Sequence, residues 1–292
     1  MKKRLILLFI SLLLAACSSG GGQEETAVTA NAAAPTAELA AAIVEPAPEG
    51  AVPPGYEGKT WADIVAQANG QTVNFYMWGG SDLINTWVTA YVATAVQEQY
   101  GVTLNMVPIS DATEYINKVL GEKEAGQDSG GSVDLVWVNG ENFRTMRQQD
   151  LFANSEVSFD MAYNPAEASS LVENGRYPAT TRTFVFDSGT IANTHYVAIP
   201  YNSDHKAAAM VVANFLLSPA AQLSKAQPEN WGDLPALDPA LLPADLQSQF
   251  AAIPRGAATL STEELAAYRL PELQAPWLVA FEQGWEAEVL QK

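Results

Sequence analysis

The sequence predicts an α/β fold built around a parallel sheet, and three observations carry that expectation. Short runs rich in β-branched and aromatic residues alternate with longer amphipathic stretches. Turns bearing Gly, Asn and Ser stand between them, with capping residues where helices should begin. Past residue 58 about 235 of the 292 residues remain, which suits one large domain or two small lobes.

Lys2, Lys3 and Arg4 precede an apolar run from Leu5 to Leu14, and Leu14-Ala15-Ala16-Cys17 follows. This pattern resembles a bacterial lipoprotein signal spanning 1–16, cut before Cys17, with the new N-terminal cysteine acylated. The apolar run is shorter than the roughly 20 residues that a membrane-spanning helix needs. The expected location is therefore outside the cytoplasmic membrane, in the periplasm or at the cell surface, held by lipid. Cys17 is the only cysteine, so no disulfide within the chain and no cysteine-based metal site or nucleophile is expected. Residues 17–58 are rich in Ser, Gly, Ala, Pro, Glu and Thr; they read as a flexible tether, too poor in large apolar groups to offset the entropy of ordering.

The organised part follows in sequence. Trp61 to Asn69 reads as a leading helix, and Thr72 to Met77 as the first strand. After Trp78-Gly79-Gly80, Ser81 stands where an N-cap belongs, ahead of Leu83, Ile84, Trp87 and Val88 at helical spacing. The long helix from Leu83 to Gln99 closes at Gly101, and Val102 to Ile109 is the second strand. Ser110-Asp111 opens another helix, with Glu114 three residues beyond Asp111 in capping-box fashion and Ile116, Val119 and Leu120 as its apolar face. Val133 to Val138 is the third strand, and Asn139-Gly140-Glu141-Asn142 starts a helix that runs to Gln149. Such alternation indicates βαβ units.

The same grammar recurs downstream. Val157 to Ala162, Arg182 to Phe186 and Tyr196 to Pro200 read as strands, with Asn164 as an N-cap and Pro165 at the first helical position between them. Lys206 to Leu217 is an alanine-rich helix, Ser218-Pro219 caps the next, and a proline-punctuated tail carries helices near Pro239 to Ala252, Thr262 to Tyr268 and Pro276 to Leu290.

Charge bounds the partners. The formal net charge of −18 becomes −21 once Lys2, Lys3 and Arg4 leave with a signal, since no acid precedes Cys17. That balance argues against nucleic acid and against anionic membrane surfaces; membrane association is expected through the lipid anchor only. No GxSxG, HExxH or phosphate-loop motif occurs, so an extracytoplasmic hydrolase is the weakest function class and no cofactor is expected. His195 and His205, the two histidines, have no partner at metal-ligand spacing, and no metal role is expected.

Candidate binding residues gather where strands meet turns. A strand that turns through two glycines into a helix leaves backbone N–H groups at the strand's carboxyl end, the edge where open α/β sheets bind ligands. Trp78, Trp137, Tyr163 and Tyr201 stand at such ends. Aromatic faces with a nearby carboxylate, Asp82 or Glu141, would suit an organic cation. Helix N-termini at Ser81, Asn139 and Asn164 would favour an anion, and composition leaves the solute's charge open.

Several blocks, in order, resemble a known family. Trp78-Gly79-Gly80, Asp134-Leu135-Val136-Trp137-Val138-Asn139-Gly140-Glu141-Asn142-Phe143, Tyr163-Asn164-Pro165-Ala166-Glu167-Ala168, Gly189 to His195, Val197 to Asn202 and the helix pair from Asn202 to Ser224 are similar to the YnjB-type substrate-binding proteins of ABC importers. The resemblance implies a periplasmic-binding-protein-like fold: two α/β lobes, joined by crossing strands, that close on a solute. It implies a solute-binding chain, expected to be monomeric, that serves an ABC permease and its separate ATPase subunit. The ligand contacts it suggests are Trp78, Gly79, Gly80, Ser81 and Asp82 in the first turn and Trp137, Asn139, Glu141 and Asn142 after the third strand. Tyr163 and Asn164, Asn193 and His195, and Tyr201 complete the set.

One departure stands out. The family carries a long middle section after the WVNGENF helix, whereas here Gln149-Asp150-Leu151 passes almost directly into Phe152 to Val157. On the order of a hundred residues, a small domain's worth, are missing near Leu151. The expected layout is a first αβα lobe at 59–150, a remnant of the second lobe with a return strand at 151–200, and a C-terminal helical part at 201–292 that packs on the first lobe. The alternative to a working binding protein is a truncated remnant or scaffold, whose signature would be an apolar face left exposed where the missing section should pack.

Overall fold

The computed structural model describes residues 53–153, 157–161, 171–256, 258–271, 273 and 275–290, with side chains described for neither 157–161 nor residues 275, 278 and 282. All of these belong to one unit, Ile43–Lys292. Cys17, the signal, most of the tether and the turn with Tyr163 and Asn164 lie outside the described residues.

Helix α1 (Trp61–Ala68) starts with a capping box in which Thr60 and Asp63 exchange hydrogen bonds. Strand β1 (Thr72–Trp78) follows, and then one continuous helical run made of α2 (Asp82–Thr86), a π-helical segment (Trp87–Val92) and α3 (Ala93–Tyr100). Gly101 ends the run in the left-handed region, φ 68°, where a glycine carries no Cβ penalty. Strand β2 (Thr103–Ile109), helix α4 (Thr113–Glu124), strand β3 (Leu135–Asn139) and helix α5 (Gly140–Gln148) complete the first part. The box expected at Asp111 is rearranged. Glu114 Oε1 accepts from the N–H groups of Ser110 and Asp111, while Asp111 Oδ1 accepts from Thr113, so the helix begins two residues later.

Beyond it lie β4 (Val157–Met161), β5 (Thr190–Ile191), β6 (Thr194–Ala198), α6 (Lys206–Leu216), α7 (Pro219–Lys225), β7 (Leu234–Pro235), α8 (Ala244–Ala251), α9 (Thr262–Ala267), β8 (Arg269–Leu270) and α10 (Ala275–Trp285). The main sheet has the order β2-β1-β3-β6-β4-β7. Its first three strands are parallel, as βαβ units require; β6 pairs antiparallel with β3, and β4 pairs antiparallel with β6, so β4 runs in the direction of the first three.

Alternation on the strands divides the core into two layers. On β1 and β3, Val73, Phe75, Met77, Leu135 and Trp137 face one way, against α1, α6 and the π-helical run. Val136 and Val138 face the other way with Tyr115, Ile116 and Val119 of α4 and Met146 of α5. The result is the expected α/β class with a three-layer αβα first lobe. Strand β3 is buried on both faces, which is why its sequence, LVWV, is continuously apolar.

The second half departs from expectation at two places. Arg182 to Phe186 forms no strand: its backbone is tied instead by the Thr183 N–H to Ala258 O, 3.0 Å. The strand nearby is the two-residue β5, and its partner is β8 from the tail, a separate parallel pair. Helices α6 and α7 are built into the first lobe's core, whereas the aromatic residues of α10 are exposed. Among the described residues no single helix is long and apolar enough to cross a membrane.

Candidate functional site

A cleft of about 410 Å³ opens at the carboxyl ends of β1, β2 and β3. Trp78 comes from the end of β1, Ile109, Ser110 and Asp111 from the end of β2, Asn139 and Asn142 from the β3–α5 turn, and His195 from the start of β6. The antiparallel register of β3 and β6 sets His195 opposite Asn139, so a strand running the other way contributes its beginning to the same edge. Asp233 closes the far side from the loop before β7, and Trp137 and Tyr115 form the floor.

The two glycines shape this cleft by close approach. A Cβ on Gly79 would sit 2.6 Å from Pro108 Cβ, and one on Gly80 would sit 2.1 Å from the Trp78 indole. Neither residue has a positive φ, so strain relief is not their role here. Gly79 lets β1 and β2 end side by side, and Gly80 makes room for an indole that is 46% exposed. Ser81 is the N-cap of α2, accepting from the Ile84 N–H at 3.4 Å, and Asp82 is the first residue of that helix.

Trp137, only 9% exposed, meets His195 in a T-shaped contact with ring centres 4.9 Å apart and rests on Trp231 at 5.0 Å. Trp231 in turn meets Trp87 at 5.7 Å, and the Trp87 indole N–H donates to Ser224. The aromatic floor is thus continuous with the first lobe's core. The Asn193 amide lies 3.0 Å from His195 Nε2, which makes Nε2 the acceptor in that pair. Asn139 Oδ1 accepts from Asn142 Nδ2 at 2.8 Å rather than capping α5.

Both carboxylates of the cleft, Asp111 and Asp233, are on its wall, and no Lys or Arg lines it among the described residues. Hydrogen bonds from the Thr113 hydroxyl and N–H hold the Asp111 carboxyl below its ordinary value, so it is ionised at neutral pH. Burial, reinforced by the Asp111 charge, pushes the Tyr115 phenol up. Tyr115 stays protonated and donates to the Trp137 carbonyl at 3.2 Å.

Of the residues singled out in the sequence, Trp78, Trp137, Asn139, Asn142 and His195 converge on the cleft, with Gly79, Gly80, Ser81 and Asn193 shaping or holding it. Asp82 and Glu141 occupy the first turns of α2 and α5 and do not line it. Tyr201 is at the other end of the sheet: β6 runs antiparallel, so its carboxyl end points away, and the Tyr201 hydroxyl donates to Gln127 O. Asp111, Tyr115 and Asp233 were not anticipated. The rule that found Trp78, a residue just past a parallel strand, also marks Asp111; Asp233 carries no local signal. Among the described residues no cluster of three or more His, Cys, Asp or Glu could hold a metal ion.

Comparison with known proteins shows what the chain is similar to. Over 369 positions, covering 77% of this chain and 92% of the other, the chain is 25% identical to protein YnjB of Escherichia coli strain K12. A match of 369 positions on a chain of 292 residues leaves at least 77 positions of YnjB without a counterpart, in keeping with the missing middle section. No family model matches. Similar solved structures include the spermidine/putrescine substrate-binding protein PotD of Streptococcus pneumoniae, 11% identical with a TM-score of 0.46, covering 73% of this chain and 97% of that one. An ABC substrate-binding protein of Listeria monocytogenes in complex with cycloalternan is 10% identical, TM-score 0.49, covering 75% and 92%. A periplasmic thiamin binding protein is 15% identical, TM-score 0.43, covering 74% and 94%.

Proposed function

We propose that this chain is the lipid-anchored solute-binding component of an ABC importer, and that its solute is a small organic cation. The observation that carries the reading is the cleft at the carboxyl edge of the sheet, where two tryptophans stand with two carboxylates and, among the described residues, no lining Lys or Arg. Aromatic faces attract cations through the ring quadrupole, and the ionised Asp111 adds an ion pair on the exposed side. Capture, closure of the second lobe and release to a membrane permease, powered by a separate ATPase chain, follow from the resemblance to importer binding proteins. Turnover is not part of this function, and the solute should be recovered unchanged.

The test is a calorimetric melt of the full chain with thiamine, spermidine, sulfate, phosphate or ferric citrate. A ligand at about 100 times its dissociation constant adds about 2.7 kcal/mol, or roughly 5 to 10 °C for a chain of this size. Spermidine or thiamine should raise the midpoint while sulfate and phosphate leave it unmoved. A shift with the anions alone would refute the cation assignment. The second reading, a remnant that no longer binds, is favoured by one observation: the apolar surface exposed between residues 177 and 191 and between 268 and 290. It predicts no shift with any of the five compounds.

A further inference from the structure

Fifteen large apolar residues are exposed among the described ones, and twelve of them come from the stretches 177–191 and 268–290. Phe184 and Phe186 on the first are 74% and 61% exposed; Trp277, Phe281 and Trp285 on the second repeat every four residues along α10. Backbone pairing joins the two stretches: Thr190 N–H donates to Tyr268 O at 2.7 Å and Ala192 N–H to Leu270 O at 3.0 Å, as part of the β5–β8 pair. Two strands of two residues do not make an independently stable sheet. At about 150–250 Å² for a whole aromatic side chain, the exposed aromatics of these stretches leave roughly 800 Å² uncovered, about what one partner contributes to a standard interface.

We propose that this face is the seat of the polypeptide section that YnjB carries and this chain lacks, and that the chain binds that section when it is supplied. Three observations select this occupant. At least 77 YnjB positions have no counterpart here, enough for a small domain. Ala153, bonded to Ile199 O on the first lobe, is followed only four residues later by β4, so the chain reaches the second half with nothing inserted that could cover it. The same stretches carry Asp187, Glu286 and Glu288 against Arg182 and Arg269, and the chain as a whole has net charge −18, which disfavours pairing with a second copy or with anionic lipid.

The test titrates the full chain with a polypeptide comprising the unmatched YnjB positions, read by ANS emission and sedimentation velocity. The chain alone should light ANS strongly, and a one-to-one complex should lower that emission at least about threefold. A quiet chain, a dimer that extinguishes ANS without the section, or recruitment to phosphatidylserine vesicles in place of the section would each overturn the proposal. A second variant keeps it testable if the isolated section fails to fold. In a chimera with the section inserted between Ala153 and Val157, Trp277→Ser, Phe281→Ser and Trp285→Ser together should lower the melting midpoint by at least about 5 °C. The same triple change in the present chain should move the midpoint far less and lower ANS emission, since those side chains are mostly exposed there. Equal tolerance in both contexts refutes the assignment.

Discussion

Replacing Asp134 with alanine should unfasten the strand that carries Trp137 and Asn139 to the cleft. Asp134 is 1% exposed, at the foot of β3, and is held from three directions. Its Oδ2 accepts from the Asn74 N–H of β1 at 3.0 Å; its Oδ1 accepts from Ser203 Oγ at 2.9 Å and the His205 N–H at 3.1 Å, just before α6. Asp134→Ala leaves the Asn74 N–H without its acceptor and the His205 N–H with only Ser203 Oγ, at 3.3 Å, whereas the serine hydroxyl can turn. Hydrogen bonds to charged groups are worth about 1.5–3 kcal/mol and an unsatisfied donor costs about 1–3, so with shared partners the loss should be about 3–5 kcal/mol. That corresponds to a fall in midpoint of roughly 6 to 20 °C at 2–4 °C per kcal/mol. Asp134→Asn should recover only part of this. Its oxygen can serve Ser203 and His205, but its amide then faces the Asn74 N–H, donor against donor. Scanning calorimetry of wild type and both variants decides it. A drop below about 1 kcal/mol for the alanine variant, or full recovery by asparagine, would refute the account of how β3 is anchored.

Other expected outcomes follow from the same geometry. Gly79→Ala drives a Cβ into Pro108 at 2.6 Å and should cost about 1–3 kcal/mol by overpacking, visible as a lower denaturation midpoint. Trp137→Ala should cost about 3–5 kcal/mol as well as solute affinity, because the ring is floor and core together; Trp78→Ala, at a half-exposed ring, should leave the melt nearly unchanged and weaken solute binding about tenfold by isothermal titration. Glu122 gives a pH dependence. Burial pulls its carboxyl upward, but bonds from the Ser132 hydroxyl at 2.6 Å, the Asn202 amide at 2.8 Å and the Ser132 N–H outweigh it, and the folded value is lowered. The stability it contributes is therefore present above the unfolded carboxylate value and lost as pH falls through the lower folded one. Glu122→Gln should flatten that acid limb, and an unchanged slope would refute it.

The first lobe was legible because its signals are local. The cap at Ser81, the glycine at 101 and the β-rich run of β3 each announce one element, and βαβ alternation leaves few ways to assemble them. That Trp78, Asn139 and Asn142 share one edge was legible because a parallel strand's carboxyl end is readable from the strand itself. That Tyr201 lies at the other end was not, because strand direction is a property of the sheet: nothing in Val197 to Asn202 says that β6 runs antiparallel. Asp233 was invisible for a related reason, reaching the cleft from a loop nearly a hundred residues after β3. The false strand at Arg182 to Phe186 has the composition of a strand and no strand pairing, and composition alone reports only the first.

The aromatic series from His195 through Trp137 and Trp231 to Trp87 gives the cleft two walls with unequal freedom to vary. On the side of Trp137 any substitution that alters the proposed solute contact also alters folding stability, so substitutions there pass through a narrow gate. On the side of Trp78 and Asp111, where the residues stand partly in solvent, a substitution alters what is recognised and little else. New specificities in chains of this kind should therefore accumulate at the ends of β1 and β2 first, with the tryptophan beneath them as the inherited part.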